Sequence, residues 1–559
     1  MSERTSSSAA SEENAASRQD VLLSVVVPVF NQEAAIVENI ATIQESIAAG
    51  LDEPFELIVV SDGSIDGTAE RALEAAGGGF RVIHYDRNLG KGYAIKVGAL
   101  EGRGRFIAYI DADLDLDPAW LPRFVGSAER ENLDFAIGSK RHPDSDVHYP
   151  ASRRVASWLY QQLVRILFRL DVRDTQVGLK VFRREVAEQV LPLLLVKRFA
   201  FDLELLAVSR ALGFGRIREL PIRLDYRFTG SGVRSLAVLR ALIDTAAIFY
   251  RLRILRYYQR KREIAGAYGW TRPRGYEPLV SVVTPDAAAA SDLDYPKLEV
   301  IEIDQLTPAA ASDAVRGASG TVVAFLDHGE HPAGNWLGAT VSFLARPEVA
   351  AVVTARVAPH AGSTRERAAA GVVESRLGGG SLYFRFTPGN LRFVSDFPDA
   401  SIVVRKEDYV AAGEGPLDQL TSRLVARGRS VLYTPETVVV APPSALFGPH
   451  LRQAFAYGRR RSGDLRRRGW RALRLTTLLP LALLAFLAVG PIVLLVGGMA
   501  RTIWLAGAAV YAIVVVASGA IAALRFRGLG VGALTIAGLV GRHVVYAAGL
   551  VTGLVGGRR

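Results

Sequence analysis

Residues 109–121 read YIDADLDLDPAWL, with Asp111, Asp113, Asp115 and Asp117 at every second position. On a strand, alternation would set all four on one face. Like charges side by side repel, so the pattern asks for something positive among them. A hard divalent cation held by carboxylate oxygens is the chemistry such residues supply. Asp117 stands apart, because Pro118 and a helical stretch follow it. It reads as the N-cap of that helix, with proline at N1.

Three more stretches put polar groups at the ends of apolar runs. SVVVPVFNQEAAI reads as a strand, a turn at Pro28 and a helix start, a pattern that alone also fits ordinary α/β packing. ELIVVSDGSIDGT closes on Asp62 and Gly63, where a carboxylate could accept hydrogen bonds from a nucleobase or ribose. RNLGKGYAIKVGA is a Gly-rich turn into a helix. Gly90 and Gly92 permit close backbone approach there, and Lys91 carries a charge suited to phosphate.

These edges need a scaffold. From Val21 to about Gly230, runs such as LLSVVVPVF, FELIVVSDGS, FRVIHYD and RFIAYIDAD alternate with amphipathic stretches. That alternation predicts an α/β fold with a mostly parallel sheet, and ligands then bind beyond the carboxyl ends of its strands. Residues 1–20 are polar, lack the apolar core of a signal peptide and read as a disordered tail. Residues 21–232 make the first domain, and 233–278 a basic aromatic helix and a Gly/Pro/Tyr linker. From 279 to 445 the first pattern returns. LVSVVTP echoes LLSVVVPVF, and RGASGTVVAFLDHGEHPAGNWL echoes GALEGRGRFIAYIDADLDLDPAWL, a two-copy repeat. Its alignment sets Asp327 opposite Asp111, Gly329 opposite Asp113 and His331 opposite Asp115, so the second copy has lost most of the carboxylates.

The remainder is membrane-like. Residues 446–474 form a juxtamembrane segment whose LRQAFAYGRRRSGDLRRRGWRALR stretch holds nine arginines and one aspartate. In the region 475–559, residues 475–500 and 502–524 are uncharged and each exceeds the roughly 20 residues of a spanning helix. Residues 528–557 are apolar but carry Arg542 and His543, and read as a third span or as a re-entrant or interfacial segment. Basic flanks mark the cytoplasmic side, which predicts a multi-pass cell-membrane protein with both globular domains cytoplasmic and the turn at Arg501 outside. The net charge of +11 is concentrated where anionic lipid would lie, so membrane lipids rather than nucleic acid are its expected partner. No cysteine is present, which excludes disulfides, thiolate metal sites and a cysteine nucleophile.

Taken together, VPVFNQE, SDGSIDGT, RNLGKG, DADLD, AIGSKR, RDTQVGLKVF, FDLELL and ELPIRL occur in an order that resembles the family-2 inverting glycosyltransferases of the GT-A fold. Within that family Ser24–Gly230 is similar to the polyprenyl-phosphate (dolichyl-phosphate) glucosyl- and mannosyltransferases. The resemblance implies a nucleotide-diphosphate sugar donor, UDP-glucose or GDP-mannose, bound through Pro28, Phe30, Glu33, Asp62, Gly63 and Lys91. It implies Mg²⁺ or Mn²⁺ on Asp111 and Asp113, with Asp115 as a further ligand. The acceptor would be a membrane polyprenyl phosphate, met by Arg141, Arg173, Lys180 and Arg183. Asp202 would orient donor or acceptor rather than act as a base, or else be a plain helix N-terminal carboxylate.

The helix in ASRRVASWLYQQLVRILFRLDVRD would lie on the membrane, or pack on the sheet. Where the family carries Gly-Ser-Lys, this chain has Gly230-Ser231-Gly232, which weakens a phosphate contact there. Residues 279–445 would be a degenerate copy without catalysis, since PLDQLTSRL also replaces an acidic pair by Pro416 and Leu417. Transfer to a cell-envelope glycan or lipid-linked oligosaccharide is a second enzymatic reading, and a membrane scaffold with glycan-binding domains is a non-enzymatic one. Oligomeric state is not readable.

Overall fold

The computed structural model of the chain describes residues 21–555 apart from 78, 86, 148–150, 199, 225–234, 269–272, 274, 399–400, 469–474 and 497. The expected tail, Gly230-Ser231-Gly232 and part of the linker lie outside the described residues.

The β-branched runs form the strands of a first sheet: β1 Leu23–Val29, β2 Phe55–Asp62, β3 Arg81–Tyr85, β4 Phe106–Tyr109, β5 Phe135–Gly138, β7 Lys180–Arg183 and β8 Ile217–Leu220. β6 Asp146–Val147 pairs with β9 Arg223–Leu224 in a small separate ribbon. The order across the first sheet is β3-β2-β1-β4-β7-β5-β8, parallel except for β7, which runs antiparallel to β4 and β5. Val25, Val27, Ile36, Ile40, Leu57, Val59, Phe124 and Val181 belong to one buried core against this sheet.

A second sheet contains β10 Val280–Thr284, β11 Leu298–Glu302, β12 Val322–Phe325, β13 His331–Pro332, β14 Val349–Val357, β15 Arg392–Val394, β16 Ile402–Arg405 and β17 Ser430–Val440. Its order β11-β10-β12-β16-β14 repeats β2-β1-β4-β7-β5, including the antiparallel insertion of β16. The duplication extends to side chains. Ser24 Oγ donates to Glu56 at 2.6 Å and accepts from the Gly104 N–H. Likewise Ser281 Oγ donates to Glu299 and accepts from Gly320.

The described residues divide into two compact units. One runs through His328 and adds Pro332–Thr354 and Asn390–Val438. The other comprises Gly329–His331, Ala355–Gly389 and the chain from Val439 onward. In the latter, Gly498–Arg525 and Leu529–Val555 are long and apolar enough to cross a membrane. The helix Thr364–Val373 packs on both, and Thr535 donates to the Ala368 carbonyl. The segment expected as a first span, 475–500, contains two helices, Leu475–Ala488 and Gly490–Val496, bent by 42°, which together are long and apolar enough for one broken span or a re-entrant loop. Pro491 lies in the first turn of the second piece, where its missing N–H is harmless. The expected turn at Arg501 is also displaced: Gly498, at φ 63°, opens the next helix three residues earlier, so Arg501 lies within it. Residues 529–555 form one continuous helix through Arg542 and His543.

Candidate active site

Parallel pairing brings the carboxyl ends of β1, β2 and β4 to one edge, with Val29 beside Ser61 and Val26 beside Tyr109. Pro28 lies within β1, and Phe30 projects from its end with 44% of its surface exposed. The following loop is zipped to the one after β2. Asn31 N–H donates to Ser64, Gln32 N–H to Thr68, and Ile65 N–H to the Asn31 side chain. Glu33 belongs to this zipper: Oε2 accepts from the Gly67 N–H at 3.1 Å, and Arg71 lies 3.7 Å from Oε1. Its carboxylate thus ties two loops, with 44% of the side chain still exposed.

Asp62 also ties a loop in place. It is buried and accepts from the Leu89 N–H at 2.7 Å, the Gly90 N–H at 2.8 Å and the Tyr85 hydroxyl at 3.1 Å. Burial pushes its pKa up to about 6 against those donors. The carboxylate holds the Gly-rich turn. Gly63, at φ 65°, lies so close to this turn that a Cβ would be 2.2 Å from the Arg87 carbonyl carbon.

The turn delivers Lys91 as first residue of the helix Lys91–Glu101, and its Nζ lies 2.5 Å from Asp111 Oδ1. Burial works against the lysine charge, but Asp111, with Asp202 and Asp113 behind it, outweighs burial and raises the Lys91 pKa. The aspartates themselves do not extend a strand. β4 ends at Tyr109, and Asp111 to Asp117 occupy a turn in which Leu114 adopts φ 56°. Strand alternation therefore does not align them. The turn is anchored by Asn39, which donates to the Ala112 carbonyl at 2.8 Å, and Asp113 accepts from the Asp115 N–H at 3.2 Å. Surrounding protein, then Asp111 and Asp115, push the Asp113 pKa up to about 6. Among the described residues no three acidic or histidine side chains already form a cation cage. Asp117 does meet a backbone N–H, that of Ala119 at 2.9 Å, but the helix starts two residues later than expected, at Trp120 with Ala119 as N-cap. The Asp117-Pro118 step forms a preceding turn, with Trp120 N–H bonded to the Asp117 carbonyl.

β7 passes beside this turn. A Cβ on Gly178 would lie 2.1 Å from Asp111 Oδ2, so the DTQVG loop approaches the carboxylate as only glycine can. Two and three residues before it, Gln176 Nε2 and Thr175 Oγ1 are buried without a hydrogen-bond partner among the described residues. Glycine spacing in DTQVGLK was the available signal for this contact, but nothing in the sequence named Asp111 as its neighbour.

Asp202, in the first turn of Phe201–Ala211, is buried and accepts from the Tyr109 hydroxyl and from Lys180 Nζ, the latter at 2.6 Å. Lys180 is fully buried and also donates to the Val177 carbonyl at 2.6 Å. Burial lowers its pKa, with Asp202 opposing. Its ammonium is committed inside the protein and does not present itself to an acceptor phosphate. Arg183 is likewise removed from the site. Antiparallel pairing sets it opposite Phe106, at the far end of β4 from Asp111, and its Nε donates to the Leu133 carbonyl. Arg141 and Arg173 lie in loops following β5 and preceding β7, where the backbone N–H groups of Arg173 and Asp174 both bond Glu219.

The Lys180–Asp202 pair makes a direct prediction. Lys180→Met strands a buried carboxylate and is expected to lower stability by about 3–5 kcal/mol, whereas adding Asp202→Leu should restore much of it. Thermal or denaturant unfolding of the purified single and double variants measures both.

This strand order, with its antiparallel insertion and acidic turn after β4, is a GT-A α/β fold. Residues 24–191 match the family described as glycosyl transferase family 2. The chain is 34% identical to glycosyltransferase AglD of Haloferax volcanii over 211 residues, 37% of this chain and 34% of the relative. It is 34% identical to a dolichyl-phosphate beta-glucosyltransferase of Drosophila melanogaster over 34% of this chain and 63% of that protein. A dodecaprenyl-phosphate galacturonate synthase of Rhizobium johnstonii is 28% identical over 45% of this chain and 72% of its own length. The chain thus spans only a third of the first relative and under two thirds of the second. Among solved structures, a Mycobacterium tuberculosis glucosyl-3-phosphoglycerate synthase in complex with Mn²⁺ and UDP aligns at 24% identity and a TM-score of 0.32, over 43% of this chain and 81% of that one.

Proposed function

We propose that residues 21–232 transfer a hexose from a nucleotide-diphosphate sugar, UDP-glucose or GDP-mannose, to a polyprenyl phosphate in the membrane. The observation that carries this reading is the Asp111–Asp115 turn, set at one strand edge against Lys91 and the N-terminus of a helix entered through a Gly-rich turn. Carboxylates for a cation and donors for a diphosphate are what a sugar nucleotide needs. Relatives named for dolichyl phosphate and dodecaprenyl phosphate support a lipid phosphate as acceptor.

The residues fit Mg²⁺ or Mn²⁺. An Asp113 carboxyl held near pKa 6 by burial, Asp111 and Asp115 marks a surplus of negative field that a cation would relieve. Asp111 and Asp113 would hold the ion, with Asp115 as a third ligand. When bound, it neutralises charge developing on the departing diphosphate.

Lys91 and the N–H groups of its helix hold the diphosphate from the other side. A phosphate oxygen of the acceptor, already anionic, attacks the anomeric carbon. The carbon–oxygen bond to the diphosphate breaks, the nucleoside diphosphate leaves, and an α-linked donor yields a β-linked sugar phosphate. No strong base is required, so Asp202 fixes Tyr109 and Lys180 behind the site and takes no proton. Arg141 and Arg173 remain the candidates for the acceptor phosphate.

Membrane contact is supported by the helix Ala151–Phe168, which buries Val164 and Phe168 but leaves Trp158, Leu159 and Ile166 exposed. The basic flanks support a multi-pass C-terminal anchor with the globular parts on the cytoplasmic face. The second copy, with Gly329 and His331 where Asp113 and Asp115 stand in the first, is read as non-catalytic.

Membranes containing the protein are to be incubated with labelled UDP-glucose or GDP-mannose and a short polyprenyl phosphate. A mild-acid-labile glycolipid formed from one of the donors is the expected result. Label passing to a glycan, with no such lipid formed, would overturn the acceptor assignment.

A further inference from the structure

The helix Lys91–Glu101 is buried on every side from Gly92 to Ala99, which an ordinary surface helix of an α/β domain is not. One face lies on the first sheet, so closely that a Cβ on Gly98 would be 2.5 Å from Val26. The second copy covers another face. Near the start of the helix, the Tyr93 hydroxyl donates to the Pro435 carbonyl at 2.7 Å, in a fully buried bond. In the middle, Lys96 is buried within the field of Glu436. At the end, Asn335 Nδ2 donates to Glu101 Oε1 at 3.2 Å. Asn335 is itself held, accepting from the Thr437 hydroxyl at 2.9 Å and donating to the Glu436 carbonyl. The proline inside β17 has no N–H for a ladder, and its carbonyl is turned to Tyr93 instead.

From Tyr93 the contact continues to the site. Its ring meets Tyr85 edge to face at 5.7 Å, and Tyr85 donates to Asp62, which holds the Leu89 and Gly90 N–H groups. We propose that the segment Pro435–Thr437 and Asn335 of the second copy act as a strut that positions the Lys91 helix and its Gly-rich turn for the donor diphosphate. Tyr93, Asn335 and Glu436 are then positioning residues, and a copy that keeps only Asp327 of the aligned aspartates has a defined task. The donor part of this inference rests on the function proposed above.

The test uses the full chain. Tyr93→Phe is expected to raise the donor KM by about fivefold, the size of one lost buried hydrogen bond, with a smaller change in kcat. Amide hydrogen exchange over residues 89–97 should accelerate by a similar factor while β1 stays protected. Asn335→Asp places a carboxylate against Glu101 and should act alike, and Asn335→Asp combined with Glu101→Gln should recover part of the exchange protection and KM, because the Glu101 contact is remade with donor and acceptor reversed while the Glu436 carbonyl stays without its donor. Unchanged donor KM and unchanged exchange at 89–97 in Tyr93→Phe, or acceleration spread evenly over the first sheet, would overturn the strut. Exchange is read without any substrate, so it decides the strut even where polyprenyl phosphate proves the wrong acceptor.

Discussion

Asp113→Asn is expected to lower metal-dependent sugar transfer by about a hundredfold to a thousandfold, the loss that follows when several kcal/mol of charge stabilisation disappear. The variant should nevertheless fold at least as well as the parent. Burial and the neighbouring aspartates raise the Asp113 pKa from 3.8 to about 6, so the folded protein binds that proton more tightly than the unfolded chain does. Ionising the group at neutral pH therefore works against folding, and the neutral asparagine removes that burden. The sign can be checked without any enzyme assay. In metal-free buffer the advantage of Asp113→Asn in thermal midpoint should be largest above pH 6 and vanish below about pH 4, where folded and unfolded chains both carry the proton. Titrating Mn²⁺ should reverse the order, because only the parent gains stability from a bound ion. Metal-dependent transfer that survives the substitution would remove Asp113 from the catalytic role.

The edges of the first domain were legible because local chemistry marks them. β-branched runs closing on Asp62, on the Gly90 turn and on the Asp111 turn set each strand's carboxyl end, and parallel pairing then brings them together. What each polar group does at that edge was not legible. Asp62 and Glu33 look like ligand-binding carboxylates in sequence, and nothing there shows that Asp62 also holds two backbone N–H groups, and Glu33 one, of a loop nearby in space and distant in sequence. Lys180 and Arg183 lie three residues apart on one short strand, yet pairing sends one to the site edge and the other to the opposite end. The repeat was legible from LVSVVTP and the FLDHGEHPAGNW echo. The strut was not, because Tyr93 and Pro435 are 342 residues apart. Hydropathy found the apolar tail but not its 42° bend, since an apolar run reports burial and says nothing of a break at Val489.

Gly178→Ala is expected to disable the site as thoroughly as loss of an aspartate, while sparing the fold. The new methyl would stand 2.1 Å from Asp111 Oδ2 and 2.9 Å from its carboxyl carbon, well inside van der Waals contact, so one of the two must move. The strand next to Gly178 is the harder part to displace. Lys180 pairs with Tyr109 on β4 and Ile137 on β5, and its side chain is locked to Asp202 and the Val177 carbonyl. Asp111 is the softer part: it lies beyond the last residue of β4 and is held mainly by Lys91. The carboxylate should therefore swing away, breaking its contact with Lys91 and separating it from Asp113. Two groups proposed to grip the cation and the diphosphate would be lost together. Misplacement of about 1 Å at such a site costs on the order of a hundredfold in rate. Transfer in Gly178→Ala should fall by at least that factor, and Mn²⁺ should no longer raise the thermal midpoint, although metal-free stability stays within about 1 kcal/mol of the parent, as relief at a side chain allows. Normal transfer with normal Mn²⁺ stabilisation would mean that the loop yields instead of the aspartate, and that Asp111 does not depend on Gly178 for its place.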